Sequence, residues 1–386
     1  MEVGHYENAL RGLPGPINQV TTGVKNMGKQ IKEIAESDAP GMSKAMKILT
    51  VAGLGVVGML VSMGKASAAV VKTNAEFEQA NANLSTILGV NVKDMKTLTD
   101  SALTLGRTTE YTASQVTQLQ TELAKLGFGQ GSIMAMQKPI LQFATAVGAN
   151  LADAAAVAGS ALRAFNLTSA DTDDVLATLA VATNKSALSF DRIQQSIGTV
   201  FPVANAFGLT LKDTTALLGA LANAGFDASS AATATRNIIL KLADSNGKLA
   251  QSLGGPVKSF DDIIRGMIQL RDSGVDLNRE LELTDRRSVA AFAALLSGAE
   301  STRELRDALQ DVDGELQRIQ SERLNTVEGS TKLLKSAWEG LTLAFSESNG
   351  VIKTTIDQLT NLIGTIQRLL FPTQTATAQW TDYYTK

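Results

Sequence analysis

Histidine, cysteine and paired carboxylates are the side chains that most often do chemistry, and this chain is poor in the first two. It has one histidine, His5, and no cysteine in 386 residues. A Ser-His-Asp relay would rest on His5 alone, and a zinc site would lack its usual imidazole and thiolate ligands. Asp171, Asp173 and Asp174 are spaced like the start of a calcium loop. The turn glycine and closing bidentate Glu of such a loop are missing, so the three read as acids at the positive end of a helix. Gly127-Phe-Gly-Gln-Gly131 has the glycine density of a phosphate loop. It follows a helical pattern instead of a strand and lacks the Gly-Lys-Ser/Thr that reaches phosphate, so it reads as a helix stop and turn. Glu280, Glu282, Asp285, Arg286 and Arg287 are a charge-dense patch with no companion motif, the mark of a solvated surface. Any two of the 38 acidic residues could pair for glycoside hydrolysis, yet nothing singles out a pair. The expectation is a non-enzyme with no catalytic residue, no metal site and no cofactor.

The elements that would position such groups are helices. From Val70 to about Leu309 the chain is a series of short amphipathic helices with openers and stoppers. Thr112-Ala-Ser-Gln115 has capping-box spacing ahead of Val116, Leu119, Leu123 and Leu126, and Gly127 stops the run. Ser259-Phe-Asp-Asp262 opens a helix carrying Ile263, Ile264, Met267 and Leu270, ending near Gly274. Thr284 opens one carrying Val289, Phe292, Leu295 and Leu296, closed by Gly298. An echo runs through the middle: Phe165-Asn-Leu-Thr-Ser-Ala-Asp-Thr172 returns 42 residues later as Phe207-Gly-Leu-Thr-Leu-Lys-Asp-Thr214. That offset suits a helical-hairpin repeat, although two copies do not make a solenoid. No strand alternation interrupts the series.

Narrow heptad stripes flank this region. Ile17-Val20-Val24-Met27-Ile31-Ile34 predicts a helix seeking a partner. Leu305-Leu309-Val312-Leu316-Ile319 has coiled-coil spacing, which weakens at Arg323 and returns around Leu334, Ala337, Leu341 and Phe345. A last stripe, Ile352-Ile356-Leu359-Ile363-Ile366-Leu370, precedes Phe371-Pro372 and a polar tail. Ile48 to Gly64 is uncharged between Lys47 and Lys65. As a helix it spans about 25 Å, against a hydrocarbon core of about 30 Å. Its glycines suit close packing of membrane helices, and a buried helix or an oligomer seam accounts for it equally well. Met1 to Leu13 lacks the charge-then-apolar order of a signal peptide.

Composition fits this picture. Hydrophobic residues are 44% but aromatics only 5%, so the core is built from Ala, Leu, Val and Ile. Seven prolines leave room for long helices, and a net charge of −3 does not favour direct nucleic-acid binding. The fold class expected is all-α: a compact multi-helix core of short capped helices flanked by longer amphipathic or coiled-coil helices. The division expected is a polar N-terminal segment with an amphipathic helix (1–47), a hydrophobic helix (48–69), a core (70–310), coiled-coil-like helices (311–371) and a polar tail (372–386).

Several blocks resemble a known family. Ala75-Glu-Phe-Glu78 with Leu84-Ser-Thr-Ile-Leu88, Leu105-Gly-Arg-Thr-Thr-Glu-Tyr-Thr-Ala-Ser114, and Glu122-Leu-Ala-Lys-Leu-Gly-Phe128 are similar to successive parts of the core domain of phage tail tape measure proteins. The most specific stretch is Phe201-Pro-Val-Ala-Asn-Ala-Phe-Gly-Leu-Thr210 followed by Leu218-Gly-Ala-Leu-Ala-Asn-Ala-Gly-Phe226, Ala231 to Arg236 and Leu240-Lys-Leu242. Members often carry glycine near Ala231-Ala232 and are usually longer. The resemblance implies a structural protein in the tail lumen of a tailed phage or prophage, made in the host cytoplasm, which sets tail length during assembly. It implies as partners other copies in a helical bundle, the tail tube protein, tail assembly chaperones and tail tip or baseplate proteins. For some members it implies passage of the genome across the host inner membrane, with nucleic acid met only indirectly. Two competing readings are a membrane-active pore former or effector inserting residues 48–64, and a tail-attached wall hydrolase.

Overall fold

A computed structural model of the chain describes residues 67–346, and the side chains of a few residues in its terminal helices lie outside that description. The stripes at 17–34 and 352–370, the apolar run 48–64 and the polar tail fall outside the described residues, as do the side chains of Leu334, Leu341 and Phe345. Among the described residues there are sixteen α-helices, two short 3-10 turns and no strand. The all-α expectation holds.

The described chain divides into two compact units. The smaller holds residues 67–82, 102–114 and 330–346; the larger holds Asn83–Ser101 and Gln115–Gly329. Chain order is α1 (Ser67–Leu88), α2 (Lys96–Thr108), α3 (Ala113–Lys125), α4 (Gln130–Val147), α5 (Leu151–Ala164), α6 (Thr172–Lys185), α7 (Phe190–Phe207) and α8 (Leu211–Asn223). Next come α9 (Ala228–Ala243), α10 (Lys248–Ser252), α11 (Phe260–Asp272), α12 (Leu277–Leu283), α13 (Val289–Ser297), α14 (Ala299–Ala308), α15 (Glu315–Leu324) and α16 (Val327–Ser346).

One three-residue connector recurs in the larger unit. A left-handed residue ends a helix, an apolar residue follows, and an extended residue begins the next. The triplets are Gly127-Phe128-Gly129, Gly148-Ala149-Asn150, Asn166-Leu167-Thr168, Gly208-Leu209-Thr210, Gly225-Phe226-Asp227 and Gly274-Val275-Asp276. In the first five, the apolar residue's N–H reaches back to a carbonyl five positions earlier, as in Leu209 to Ala204 at 2.9 Å and Phe226 to Leu221 at 3.0 Å. These bonds satisfy carbonyls that a helix end would leave open. On the far side, Asn150, Thr210, Asp227 and Asp276 each accept the amide of the third residue of the next helix.

The echo noted in the sequence is built on these connectors. Thr168 donates its N–H and hydroxyl to Asp171, and Thr210 does the same to Asp213, at 2.7–3.0 Å. Asn166, at φ 55°, stands where the second copy has Gly208, at φ 96°. It is the one non-glycine residue with positive φ among those described, and asparagine tolerates that region better than most.

The connectors turn consecutive helices back on one another, and helices two apart then stack: α4 on α6, α5 on α7, α6 on α8, and α7 on α9, the most extensive of these packings. Two rows result, α4-α6-α8 and α5-α7-α9. The first row is covered again, by α15 on α4 and α6 and by α13 and α14 on α8. Burial follows this arrangement. In α6 every residue from Val175 to Ala182 is buried, and α8 is buried from Asp213 to Gly219, as expected of a helix enclosed on all sides. In α7 the buried set narrows to Ile193, Ser196, Ile197, Val200, Phe201 and Ala204, a stripe at helical spacing. Pro139 and Pro202 lie inside α4 and α7. An interior proline costs about 3 kcal/mol, so tertiary packing outweighs local preference in both helices.

Two sequence expectations change. Leu305, Leu309, Val312, Leu316 and Ile319 do not lie on one helix: the chain leaves α14 after Ala308, turns at Gly314 (φ 72°) and begins α15 at Glu315. All five are buried in the larger unit. Nor does Thr284 open α13. Its hydroxyl donates to the Glu280 carbonyl at 2.6 Å at the end of α12, and Asp285 instead accepts the amides of Arg287 and Ser288.

Candidate functional site

Each residue group considered for chemistry has a defined place. Asp171 is a half-buried capping carboxylate, held below the usual carboxylate range by hydrogen bonds from the Thr168 hydroxyl and then its amide. Asp174 pairs with Lys212 at 3.0 Å, and Lys212 also donates to the Gln310 carbonyl, tying α6, α8 and the chain ahead of α15 together. Asp173 is exposed. The three do not converge, and among the described residues no cluster of three or more His, Cys, Asp or Glu side chains has metal-binding geometry.

Gly127 to Gly131 is a connector, as its glycines suggest. Phe128 lies under the Arg163 guanidinium, 4.9 Å from its ring centre, and Arg163 donates to the Leu126 carbonyl. Gly159 of α5 admits this ring; a Cβ there would sit 3.1 Å from Phe128. The 280–287 patch is divided among local roles. Glu282 pairs with Arg279 at 2.9 Å, Asp285 caps, and Arg286 and Arg287 are exposed. Partial burial, then the nearby Asp276 charge, raises the Glu280 carboxyl above its ordinary value. His5 lies outside the described residues.

Two polar clusters were not foreseen. Gln120 and Gln137 are both buried in the larger unit. Gln120 Nε2 donates to the Leu98 carbonyl at 3.0 Å and to Gln137 Oε1 at 2.8 Å, while Gln137 Nε2 donates to Ser101 Oγ at 2.7 Å. Side-chain amides have no proton that titrates near neutral pH and are not nucleophiles; a buried hydrogen-bonded set of them specifies which faces of α2, α3 and α4 meet. The second cluster centres on Arg306 of α14, which lies over the Phe260 ring at 5.1 Å and reaches Asp261 at 2.5 Å and Asp213 at 3.9 Å. Nearby, Arg271 forks onto Glu300 at 2.6 and 2.9 Å. Both bind α11 to α14. No periodicity or motif announces either cluster, because the partners are distant in sequence.

A cavity of about 290 Å³ lies where α4 ends and α5 and α7 begin, lined by Gly148, Asn150, Asp153, Ser189 and Asp191. Asn150 caps α5, Ser189 caps α7, and Asp153 accepts from Gln194 at 2.9 Å. Those three side chains already serve the helix ends. Among the described residues no single helix is long and apolar enough to cross a membrane; α4 and α5 pass that test only as a pair bent by 116°.

Among the described residues, polar side chains cap helices, cross-link layers and register the core of an all-helical module. The model of the family described as "Phage-related minor tail protein" matches residues 99–327, more than half of the chain. This chain belongs to that family, and the resemblance to tail tape measure proteins stands. Among its relatives are the tape measure protein of Pneumococcus phage Dp-1 (26% identical over 348 residues, 84% of this chain and 30% of the relative) and a probable tape measure protein of Escherichia phage P2 (24% over 374 residues, 89% and 46%). Another is a probable tape measure protein of a Clostridium phage, phiCD119 (20% over 347 residues, 89% and 37%). The chain thus spans less than half the length of each of these relatives. No solved structure matches it.

Proposed function

We propose that this chain is the core-bearing part of a tape measure protein: a structural component in the tail lumen of a tailed phage or prophage, which sets tail length during assembly. The observation that carries this reading is the family match over 99–327, which falls almost wholly on the stacked larger unit and its connectors. Length in residues becomes length in space through the helix rise of about 1.5 Å, and a wholly helical chain of this size would reach about 580 Å. The stacked helices are folded back on themselves and do not serve that conversion. The ruler role therefore falls to segments outside them, with the core as a docking body for tail tip or baseplate proteins. Narrow stripes at 17–34 and 352–370 support bundling of several copies, with the tail tube protein around them and assembly chaperones on them beforehand.

Tail lengths test this. Inserting about 70 helix-forming residues after Ser346, in a phage carrying this chain, lengthens tails by about 100 Å on electron micrographs. Tails of unchanged length sink the ruler reading. The uncharged run 48–64 favours one addition, a part in genome passage across the host inner membrane, or alternatively a membrane-active role outside the tail. Liposome flotation of the chain with and without that run decides: equal flotation removes both.

A further inference from the structure

The smaller unit contains a contact that neither the family nor the ruler reading uses. The linker between α2 and α3 is unusually buried for a connection: Thr109, Glu110 and Thr112 are all under 10% exposed, and Ala113 is fully buried. Helix α16 lies on this linker. Ser336 donates its hydroxyl to the Thr109 carbonyl at 2.5 Å, and Glu339 accepts the Ser114 amide at 2.9 Å. Gly340 is packed so closely that a Cβ there would sit 2.8 Å from Arg107 Cγ. Ser336, Glu339, Gly340 and Leu343 share one helical face, and Ser336, Gly340 and Leu343 are buried on it. The Ser114 amide is one of the open donors in the first turn of α3. Its carboxylate comes from a residue 225 positions away.

The chain path makes this contact consequential. Residues 115–329, in the larger unit, leave the smaller unit at Ser114 and return to it at Ser330. We propose that the linker 107–114 and the 336–343 face of α16 form a clasp, which closes residues 115–329 into a discrete insert. While the clasp holds, tension passes from the linker to α16 and reaches the larger unit only through Asn83–Ser101, and residues 115–329 add nothing to the distance the chain spans. Opening the clasp exposes the insert to tension as a second, separate event. The device depends on a single helical face whose one large apolar residue is Leu343, so it opens under milder conditions than the stacked helices it closes off.

Pulling the full chain by its two ends in an optical trap tests this, and a cysteine-free sequence makes handle attachment clean. Two ordered events are expected: a low-force opening, then release of about 700 Å of contour as the insert unfolds. The variant Glu339→Ala removes the distant cap and should speed hydrogen exchange at the Ser114 amide about fivefold. It should lower the first force and leave the second unchanged. A single all-or-none event in the wild type, or a variant that lowers both forces equally, overturns the clasp. Should the variant fail to fold, wild-type hydrogen exchange decides. Faster opening at Ser114 and 336–343 than at 175–182 supports the proposal, and equal protection refutes it. None of these outcomes depends on whether the protein measures tails.

Discussion

Asn166 and Gly266 illustrate how single positions are constrained by backbone. Asn166 sits at φ 55°, in the left-handed region, between α5 and the turn before α6. Asn166→Gly should therefore change stability by no more than about 0.5 kcal/mol, whereas Asn166→Val should cost about 1–2 kcal/mol; urea denaturation midpoints separate the two. Gly266 lies in α11 with the backbone of Leu253 beside it, and an added Cβ would meet the Leu253 carbonyl oxygen at 2.6 Å. Backbone cannot swing aside as a side-chain tip can. Gly266→Ala should cost about 1–3 kcal/mol by overpacking, and equal denaturation midpoints for variant and wild type would contradict that geometry. The stops at Gly127 and Gly274 were legible in the sequence, because the left-handed turn needs a particular residue type. Gly266 and Gly340 were not, since close approach depends on chain segments far away in sequence.

Helices and their caps carry the next level. The two echo copies share a Thr-x-x-Asp box, and both boxes form in full on the Asp side. Thr168→Ala and Thr210→Ala should each cost about 1 kcal/mol, measured by thermal melts. A cost confined to one copy would mean that the repeat is one of sequence only. Helix existence and face were readable for α3, α11 and α13, because periodicity and capping are local. What local pattern could not supply was partnership. The stacking of α4 on α6 and α5 on α7 rests on contacts between distant segments, and the 305–319 stripe kept heptad spacing across the Gly314 turn because both of its halves face the same buried side. Thr284 was misplaced for a related reason: threonine, aspartate and serine all cap helices, and three of them stand close together at 284–288. The proposed clasp on α16 left no trace in the pattern, since Leu343 is the one large apolar residue among Ser336, Glu339 and Gly340 on its face and sequence reading follows apolar stripes.

The whole molecule should respond to acid in a direction that its carboxylates fix. Hydrogen bonds from Thr168, Ser230 and Ser259 hold the Asp171, Asp227 and Asp262 carboxyls below the ordinary aspartate range. A carboxyl lowered on folding stabilises the native state above its unfolded value, and that contribution is lost as pH falls through the lowered one. Stability should thus be steady at neutral pH and decline from about pH 4 downward. Glu280 runs the other way: its carboxyl is raised, so its ionised form opposes folding at neutral pH. Glu280→Gln should raise the melting temperature at pH 7, with the gain fading towards pH 4; a gain that persists at low pH would remove burial as its cause. At this scale the all-α class was plain in the sequence, while the division into two units interleaved along the chain was not, because it depends on which distant segments pack together. The connectors have a consequence for how such a chain can change over generations. Each carries its own stop, its own apolar plug and, in most cases, its own start, so a gene segment that spans one hairpin encodes a part complete at both ends. Unequal recombination between the copies at 165 and 207 would keep reading frame and junction chemistry alike, making the number of hairpins a quantity that a single genetic event can alter.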